Sequence, residues 1–352
     1  MKSTADIRAV AKRAGVSIAT VSRCLNDKRV GPAAEQRVRA AIKELAYSPN
    51  RLARSLRSQK TMTLGMVIPD ITNPFFPALV SGVEETARAA RFALILSNAG
   101  EDEEREWECL KVLQALRCDG VLLIMAPEGP AHARRRVQLQ QFRLPIVYLD
   151  RAPDFEADIV AADNLHSAKE AVRHLLALGH RQIGVVAADL AAAVHLDRLE
   201  GYRAALRDAG LTPSPGLEVR AKPTVADGYA ATAQLLTRPD RPTAIFVTSN
   251  RLTMGVMSAA EAYGFRCPQD VSVIGYDNYE WHDVYHPKMT TIAQPTYLMG
   301  ARAAELLIRR ITGTLAKEPQ QLLLKSTLII RESTGVCPAG RSETLPADPL
   351  RG

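Results

Sequence analysis

The sequence predicts an α/β protein in which a small all-α N-terminal domain precedes a larger body of doubly wound parallel sheets. The chain has 352 residues, more than one ordinary hydrophobic core organises. Apolar residues recur at helical spacing in residues 1–48, whereas the later chain alternates short apolar runs with amphipathic segments. Positive charge is also confined to one end. Residues 1–60 hold fourteen Lys and Arg against four Asp and Glu, whereas the rest of the chain is slightly acidic.

The first 48 residues carry the pattern of a helix-turn-helix. An amphipathic helix ends at Gly15, which can adopt the positive φ of a tight turn, and Ser17 suits the N-cap of a second helix. A third helix is expected to begin near Gly31-Pro32, because proline suits the first helical position. The alternative, a solubilising basic tail, does not explain this apolar periodicity.

In a helix-turn-helix the N-terminal end of the second helix enters the major groove of DNA. The residues expected near bases or phosphates are therefore Ser17, Ile18, Ala19, Thr20, Ser22 and Arg23. Arg23 could read a guanine bidentately, whereas Ile18 and Ala19 offer only apolar contact, such as with a thymine methyl. The local excess of positive charge supports a module that meets phosphate.

Residues 49–60 are predicted to form a hinge helix, which is too short to be stable alone. Its apolar side chains lie on one face, and a helix of this kind could pack against a twin and insert Leu56 into the minor groove. A plain charged linker is the alternative. The hinge adds five expected DNA-binding residues, which are Asn50, Arg51, Ala53, Arg54 and Leu56.

Residues 61–337 predict parallel sheets with helices on both faces. The predicted strands are 63–68, 93–97, 120–125, 145–149, 183–187, 243–248 and 271–275. The predicted helices are 77–90, 103–116, 166–178, 198–209, 225–236, 251–263 and 297–311. Residues 338–352 are rich in Pro, Gly and charge and are predicted to be disordered.

Polar residues follow four of these strands, at the positions where ligands bind in open α/β sheets. They are Asp70 and Asn73, Asp150 and Arg151, Asn250 and Arg251, and Asp277 and Asn278. A single Asp after a strand is more often a cap or a turn residue. Recurrence after four strands favours a binding site, and Asp and Asn suit vicinal hydroxyl groups.

Composition and motifs narrow the classes of function. The chain has the apolar and charged content of a globular protein, lacks an apolar run of membrane-spanning length, and begins without a secretory signal pattern. We therefore expect a cytoplasmic protein without a membrane partner. Its five cysteines never form a C-x-x-C pair, which predicts neither disulfides nor a metal site. Dinucleotide, Walker, nucleophile-elbow and zinc-protease motifs are missing, so neither an enzyme nor a cofactor is expected.

Five motifs of the chain resemble the LacI/GalR family of bacterial repressors. They are VAKRAGVSIATVSRCLN (10–26), YSPNRLARSL (47–56), LGMVIPDITNPFF (64–76), VSVIGYDN (271–278) and LIIRESTG (328–335). They occur in order over nearly the whole chain. One departure is Gly31, where the family usually has a capping Ser or Thr.

The resemblance implies a two-lobed body, like a periplasmic sugar-binding protein, that closes on a small sugar-related effector. Lobe 1 would comprise about 61–162 and 293–320, and lobe 2 about 163–292 and 321–337. It also implies a homodimeric repressor that binds a pseudo-palindromic operator in double-stranded DNA, with Leu56 as the intercalating hinge leucine. The rival is a solute-binding or sugar-metabolising protein with an incidental basic arm. The missing signal pattern and the missing catalytic motifs argue against its two forms.

The resemblance further implies roles for individual residues of the cleft. Phe76 would stack on the ligand, Asp150 and Arg198 would contact it, and Asn250 and Asp277 would bond sugar hydroxyls. Trp281 either walls the pocket or packs in a core.

Arg251 departs from the family pattern, because it replaces an aspartate that is common at this position. With Arg151 nearby, it suggests an anionic effector such as a sugar acid or a sugar phosphate. The alternative is that Arg251 acts as a cap or pairs on the surface.

Overall fold

The computed structural model describes residues 6–25, 29–47, 60–190 and 192–338, and the chain divides after Thr61 into two compact units. The predicted hinge, apart from Lys60, and the predicted tail, apart from Pro338, lie outside the described residues. The assignments of Asn50, Arg51, Ala53, Arg54 and Leu56 therefore stay predictions.

The N-terminal unit contains three helices among its described residues, α1 (Ile7–Ala14), α2 (Ile18–Leu25) and α3 (Pro32–Glu44). Gly15 ends α1 with a φ of +63°, which permits the tight turn into α2. Ser17 Oγ accepts a hydrogen bond from the Thr20 backbone N–H at 3.1 Å, as an N-cap does. Val10, Val21 and Val38 are fully buried where the three helices meet.

The larger unit alternates strands and helices. Its strands are β1 (Thr63–Ile68), β2 (Ala93–Asn98), β3 (Gly120–Leu123), β4 (Ile146–Leu149), β5 (Asp158–Ala162), β6 (Ile183–Ala188), β7 (Glu218–Ala221), β8 (Ala244–Val247), β9 (Ser272–Tyr276), β10 (Thr290–Ala293), β11 (Gln321–Leu324) and β12 (Thr327–Ile329). Its α-helices are α4 (Phe75–Ala89), α5 (Glu103–Ala115), α6 (His132–Gln140), α7 (Asn164–Ala177), α8 (Ala193–Asp208), α9 (Val225–Leu236), α10 (Asn250–Ala262) and α11 (Thr296–Thr312).

The strands form two six-stranded sheets, which define two lobes. The first has the order β11-β5-β4-β3-β1-β2 and the second the order β12-β10-β9-β8-β6-β7. Their pairings are parallel except that between β10 and β12. Separate apolar clusters cover the two faces of each sheet, so the predicted fold of doubly wound sheets is confirmed.

One predicted lobe boundary is wrong. Lobe 2 is expected to include about 321–337, but β11 pairs with β5 in the first sheet, with Gln321 opposite Ile159. The chain therefore crosses to lobe 2 after Leu324, and β12 then pairs with β10. The other two crossings lie between β5 and α7 and between β10 and α11.

Helices α4 and α11 pack closely in lobe 1, because both place a glycine at the contact. A Cβ on Gly300 would lie 2.0 Å from the Leu79 carbonyl oxygen, and one on Gly82 would lie 2.1 Å from that of Tyr297. This contact holds α4, which carries Phe75 and Phe76, against the sheet and thereby positions one wall of the cleft.

Candidate functional site

Residues from both lobes surround a cavity of about 190 Å³. In each lobe the sheet reverses its winding direction beside the strand that comes first along the chain, β1 in one lobe and β6 in the other. Open α/β sheets bind ligands beyond the carboxyl ends of strands at such points. Asp70 follows β1, Asp150 and Arg151 follow β4, Asn250 follows β8 and Asp277 follows β9, and all line the cavity.

Arg198 is held rigidly at the cavity by lobe 2. Its Nε donates to Asn164 Oδ1 at 2.7 Å and its Nη1 donates to the Thr248 carbonyl at 2.8 Å. The guanidinium also lies 3.7 Å from the ring centroid of Tyr276, a cation–π contact. These contacts fix a buried positive charge in a single orientation, as recognition of a small polar ligand requires.

Two buried aspartates face the cavity from opposite lobes. Asp150 and Asp277 follow their strands with φ values of +62° and +66°, a backbone conformation that is uncommon for residues other than glycine. Strained conformations of this kind cluster at ligand-binding sites. Burial raises the pKa of both carboxyl groups, although the charge of Arg198 partly offsets this effect. An ionised carboxylate here is therefore costly unless it is bonded.

Several buried polar atoms of the cavity have no hydrogen-bond partner among the described residues. They are Asp150 Oδ1, Arg151 Nε, His195 Nδ1 and Gln294 Oε1. Native proteins rarely leave buried polar atoms unpaired, so each calls for a ligand or a water. Burial also lowers the pKa of His195 well below its usual value, aided by Arg198 and Arg151, which keeps this imidazole neutral. The set offers both donors and acceptors, which is what hydroxyl groups need.

The two arginines that suggested an anionic effector both pair with carboxylates. Arg151 Nη1 and Nη2 donate to the Glu101 carboxylate at 2.6 and 3.0 Å. Arg251 Nη2 donates to Asp70 Oδ2 at 2.7 Å. Arg251 is therefore paired, as its alternative interpretation expects, but it lines the cavity and its partner belongs to the other lobe.

The structure brings together most of the residues that the sequence pointed to. Phe76, Asp150, Arg151, Arg198, Asn250, Arg251 and Asp277 all line the cavity. Trp281 does not line it, and its ring stacks on Tyr279 with centroids 5.9 Å apart. Asn278 also points elsewhere, where it accepts hydrogen bonds from Thr291 and Arg331.

Sequence reasoning missed several residues of the site. Glu101, His195 and Gln294 line the cavity, and Asn164 orients Arg198. A signal existed only for Gln294, which lies next to the expected boundary between the lobes at residues 292 and 293. Glu101 and His195 stand in loop and helix segments where one polar residue is indistinguishable from a surface residue.

The N-terminal unit presents a second candidate site on α2. Ile18, Ala19 and Arg23 are exposed, whereas Val21 and Cys24 on the other face are buried. Ser17 is also exposed, and Thr20 and Ser22 are half-buried. The exposed face therefore combines an arginine, hydroxyl groups and two apolar side chains.

Metal and membrane sites find no support in the part of the chain that the structure describes. No group of three or more His, Cys, Asp or Glu side chains there could hold a metal ion. Within the same residues, no helix is both long and apolar enough to cross a membrane.

Two family models match the chain. The model of bacterial regulatory proteins of the lacI family matches residues 6–50, and that of the periplasmic binding protein-like domain matches residues 172–334. The ribose operon repressor of Escherichia coli (strain K12) is 38% identical over 332 residues, which covers 94% of this chain and 99% of that protein. The transcriptional repressor PurR of Haemophilus influenzae (strain PittEE) is 34% identical over 333 residues, or 94% and 98% of the two chains.

Solved structures of transcriptional regulators also match nearly the whole chain. The lac repressor dimer bound to operator and the anti-inducer ONPF aligns with a TM-score of 0.82 at 26% identity, covering 95% of this chain and 100% of that chain. The complex of the transcriptional regulator CelR with cellobiose aligns with a TM-score of 0.71 at 32% identity, covering 94% and 99%. The matched relatives are named as regulators, which agrees with the expectation that this chain is not an enzyme.

Proposed function

Because this chain belongs to the LacI family of bacterial regulatory proteins, we propose that it is a homodimeric repressor that binds a pseudo-palindromic operator and responds to a small sugar. The observation that carries the proposal is that the chain combines an exposed helix-turn-helix surface with an internal cleft, and that buried polar atoms of this cleft lack a hydrogen-bond partner among the described residues. Such a protein acts on chromosomal DNA, which places it in the cytoplasm.

DNA reading is assigned to the exposed face of α2. Ile18 and Ala19 supply apolar contact with thymine methyls, and Arg23 supplies a bidentate contact with guanine. Two such units related by a two-fold axis would read half-sites in successive major grooves. The hinge residues, including Leu56, would meet at the centre of the operator and bend a flexible step.

For the effector we favour a neutral sugar over a sugar acid or a sugar phosphate. Arg151 and Arg251 already pair with Glu101 and Asp70, so their charges are compensated. Asp150 and Asp277 would repel an anion, and Asp carboxylates accept hydrogen bonds from vicinal hydroxyls. The volume of about 190 Å³ lies below the ~300–1,000 Å³ of drug-sized pockets, which suits a small ligand. The names of two relatives, a ribose operon repressor and a regulator solved with cellobiose, also support a sugar.

Effector binding would act on DNA affinity through lobe closure. Each ligand shifts a conformational equilibrium only by its differential affinity for the two states. A sugar that bonds Asp150 in lobe 1 and Asp277 in lobe 2 favours the closed lobes, and this change would alter the spacing of the two hinges in the dimer.

The proposal of operator recognition is tested by selection from randomised double-stranded DNA, followed by sequencing. A recovered pseudo-palindrome with a flexible central step supports a dimeric repressor and supplies the operator for later assays. Binding without an enriched sequence would leave only charge-driven affinity and would favour the rival, a solute-binding protein with a basic arm.

The effector is tested by the thermal shift of the full chain with neutral pentoses and hexoses, their acids and their phosphates. We expect stabilisation by a neutral sugar and loss of this effect in Arg198→Met. Stabilisation by the acids or phosphates alone would contradict the assignment of a neutral effector and would support the anionic one.

A further inference from the structure

Side-chain contacts join the two lobes directly at the edge of the cavity. Arg251, at the start of α10 in lobe 2, donates from Nη2 to Asp70 Oδ2 at 2.7 Å and to Thr72 Oγ1 at 2.9 Å. Both acceptors lie in the loop after β1 of lobe 1. Beside them, Asn250 Nδ2 donates to Asn73 Oδ1 at 2.8 Å. The first turn of α10 in lobe 2 is thus hydrogen-bonded to the loop after β1 in lobe 1.

The loop of lobe 1 is organised to receive the arginine. Asp70 Oδ1 accepts hydrogen bonds from the Thr72 N–H at 2.9 Å and from the Thr72 hydroxyl at 2.7 Å, which leaves Oδ2 aimed at Arg251. Burial raises the pKa of Asp70, but the hydrogen bonds from Thr72 and Arg251 outweigh it and lower the pKa overall. The carboxylate is therefore charged at neutral pH, and its geometry does not depend on Arg251.

We propose that the Arg251–Asp70 ion pair is an interlobe latch, which stabilises the closed lobes in the absence of effector. Arg251 is then a positioning residue that sets the closed-to-open ratio, and the ligand is bound by Asp150, Arg198 and Asp277. The latch rests on the proposed function in one respect, because only an effector-binding cleft turns its closure into control of DNA binding.

The solvent exposure of Arg251 and Asp70 limits how much their ion pair changes the closed-to-open ratio of the lobes. The side chains of Arg251 and Asp70 are 33% and 23% exposed, so water and salt screen their attraction. Ion pairs at such positions change an equilibrium by about 1.4- to 5-fold. If the effector binds the closed lobes, its apparent affinity changes by the same factor as the closed fraction, since the competent fraction multiplies the intrinsic affinity.

The latch is tested by distance measurements between spin labels in the full chain without any ligand. Labels are attached to cysteines introduced at the exposed positions Ser81 in lobe 1 and Glu261 in lobe 2. Half-buried Cys109, Cys267 and Cys337 are replaced by serine. Labelled chain is diluted into unlabelled chain so that distances within one chain dominate.

Arg251→Asp places a carboxylate against Asp70 and is expected to lower the closed-to-open ratio by more than about fivefold at low salt. The swapped pair Asp70→Arg with Arg251→Asp should restore the short distance. Arg266→Asp is the control, because it changes the charge of lobe 2 equally but its partner Asp270 lies 2.9 Å away in the same lobe. In the unsubstituted latch, raising NaCl from about 50 to 500 mM should shift the ratio towards open, and in Arg251→Met it should not.

Two results would overturn the latch. One is an unchanged distance distribution in Arg251→Asp. The other is an open distribution that the swapped pair fails to close, which would assign the change to damage instead of charge. A parallel titration with D-ribose keeps the proposals apart, since the ligand-free distances test the latch even if no sugar binds.

Discussion

Asp150 follows β4 with a φ of +62°, is only 7% exposed, and has an Oδ1 without a hydrogen-bond partner among the described residues. Burial raises the pKa of its carboxyl group, and Asp277 and Glu101 add to the effect, whereas Arg198 and Arg151 oppose it. A residue of this kind stabilises a bound ligand at the expense of the ligand-free fold. Stability and binding therefore compete at single residues of the cleft.

Asp150→Asn should raise the melting temperature of the ligand-free protein at pH 7.5. The folded pKa is raised, so the ionised carboxylate destabilises the fold at pH values above that pKa, and the cost disappears below the ordinary value of 3.8. We expect a gain of a few °C at pH 7.5, where ~1 kcal/mol corresponds to about 2–4 °C. The gain should vanish near pH 3.5, and the sugar response should be lost. Melting curves at the two pH values measure it.

The matched control is Asp158→Asn. Asp158 is also buried, but it accepts two hydrogen bonds from Arg310, at 2.6 and 2.8 Å. Its replacement removes charge-assisted bonds and should destabilise the protein by ~1–3 kcal/mol. If Asp150→Asn were destabilising at pH 7.5 as well, the inference that the Asp150 carboxylate lowers the stability of the ligand-free protein would be wrong.

At the scale of elements, the orientation of α2 depends on its N-cap. Ser17→Ala removes the hydroxyl that accepts from the Thr20 N–H, and such caps contribute about 0.5–2 kcal/mol. The unit before residue 62 has a small core, so we expect Ser17→Ala to lower the melting temperature of this unit. The melting temperature of the larger unit should not change. Calorimetry of the full chain separates the two transitions. Ser17→Asp, which restores the cap, should recover the first transition.

The contact between α4 and α11 predicts a stronger effect. Gly300→Ala would place its Cβ 2.0 Å from the Leu79 carbonyl oxygen, so the helices must separate, at a cost of about 1–3 kcal/mol. Ser81→Ala, on the exposed side of α4, is the control and should stay within ~0.5 kcal/mol. Urea unfolding measures both. A Gly300→Ala variant as stable as the control would mean that α11 moves freely over α4.

Elements whose apolar residues carry a clear period were predictable, whereas several short strands and one helix with a buried charge were missed. Helix α6 was not predicted because its buried face includes Arg135, which pairs with Glu103 at 3.3 Å and Glu106 at 3.7 Å. Strand β11 was not predicted as a strand because its four residues, Gln-Leu-Leu-Leu, show no alternation of polar and apolar residues, and the structure places them at the edge of the first sheet. That strand belongs to lobe 1 through its pairing with β5, and no local pattern encodes a long-range pairing.

The residues of the candidate site also fall into a predictable group and a group that the sequence does not reveal. Asp150, Asn250 and Asp277 were predictable because they follow strands, and the topology brings strand ends together. The partners of the arginines were not, because Glu101 and Asp70 meet Arg151 and Arg251 only after folding. The sequence shows the two arginines behind the expectation of an anionic effector but not their carboxylates, and the class of effector stays a prediction.

At the scale of the whole molecule, the sequence separates charge between its parts. Residues 1–60 carry fourteen Lys and Arg against four Asp and Glu, and the remaining chain is slightly acidic. In the proposed function, the basic part supplies an affinity for DNA that depends on salt and not on sequence, and α2 and the hinge supply the specificity. The two contributions can therefore be separated experimentally.

Leu56→Ala should weaken binding to the selected operator by at least about tenfold, or ~1.4 kcal/mol, because the proposed wedge into the central step is lost. Its salt slope should be unchanged, since no charge is removed. Arg54→Ala is the matched variant in the same segment. Loss of one phosphate contact from each of the two protomers should reduce the slope of log K against log salt by about 1.8. Fluorescence anisotropy on operator and scrambled DNA over a salt series measures both quantities. A Leu56→Ala variant with full operator affinity would remove the hinge from the mechanism and leave recognition to α2 alone.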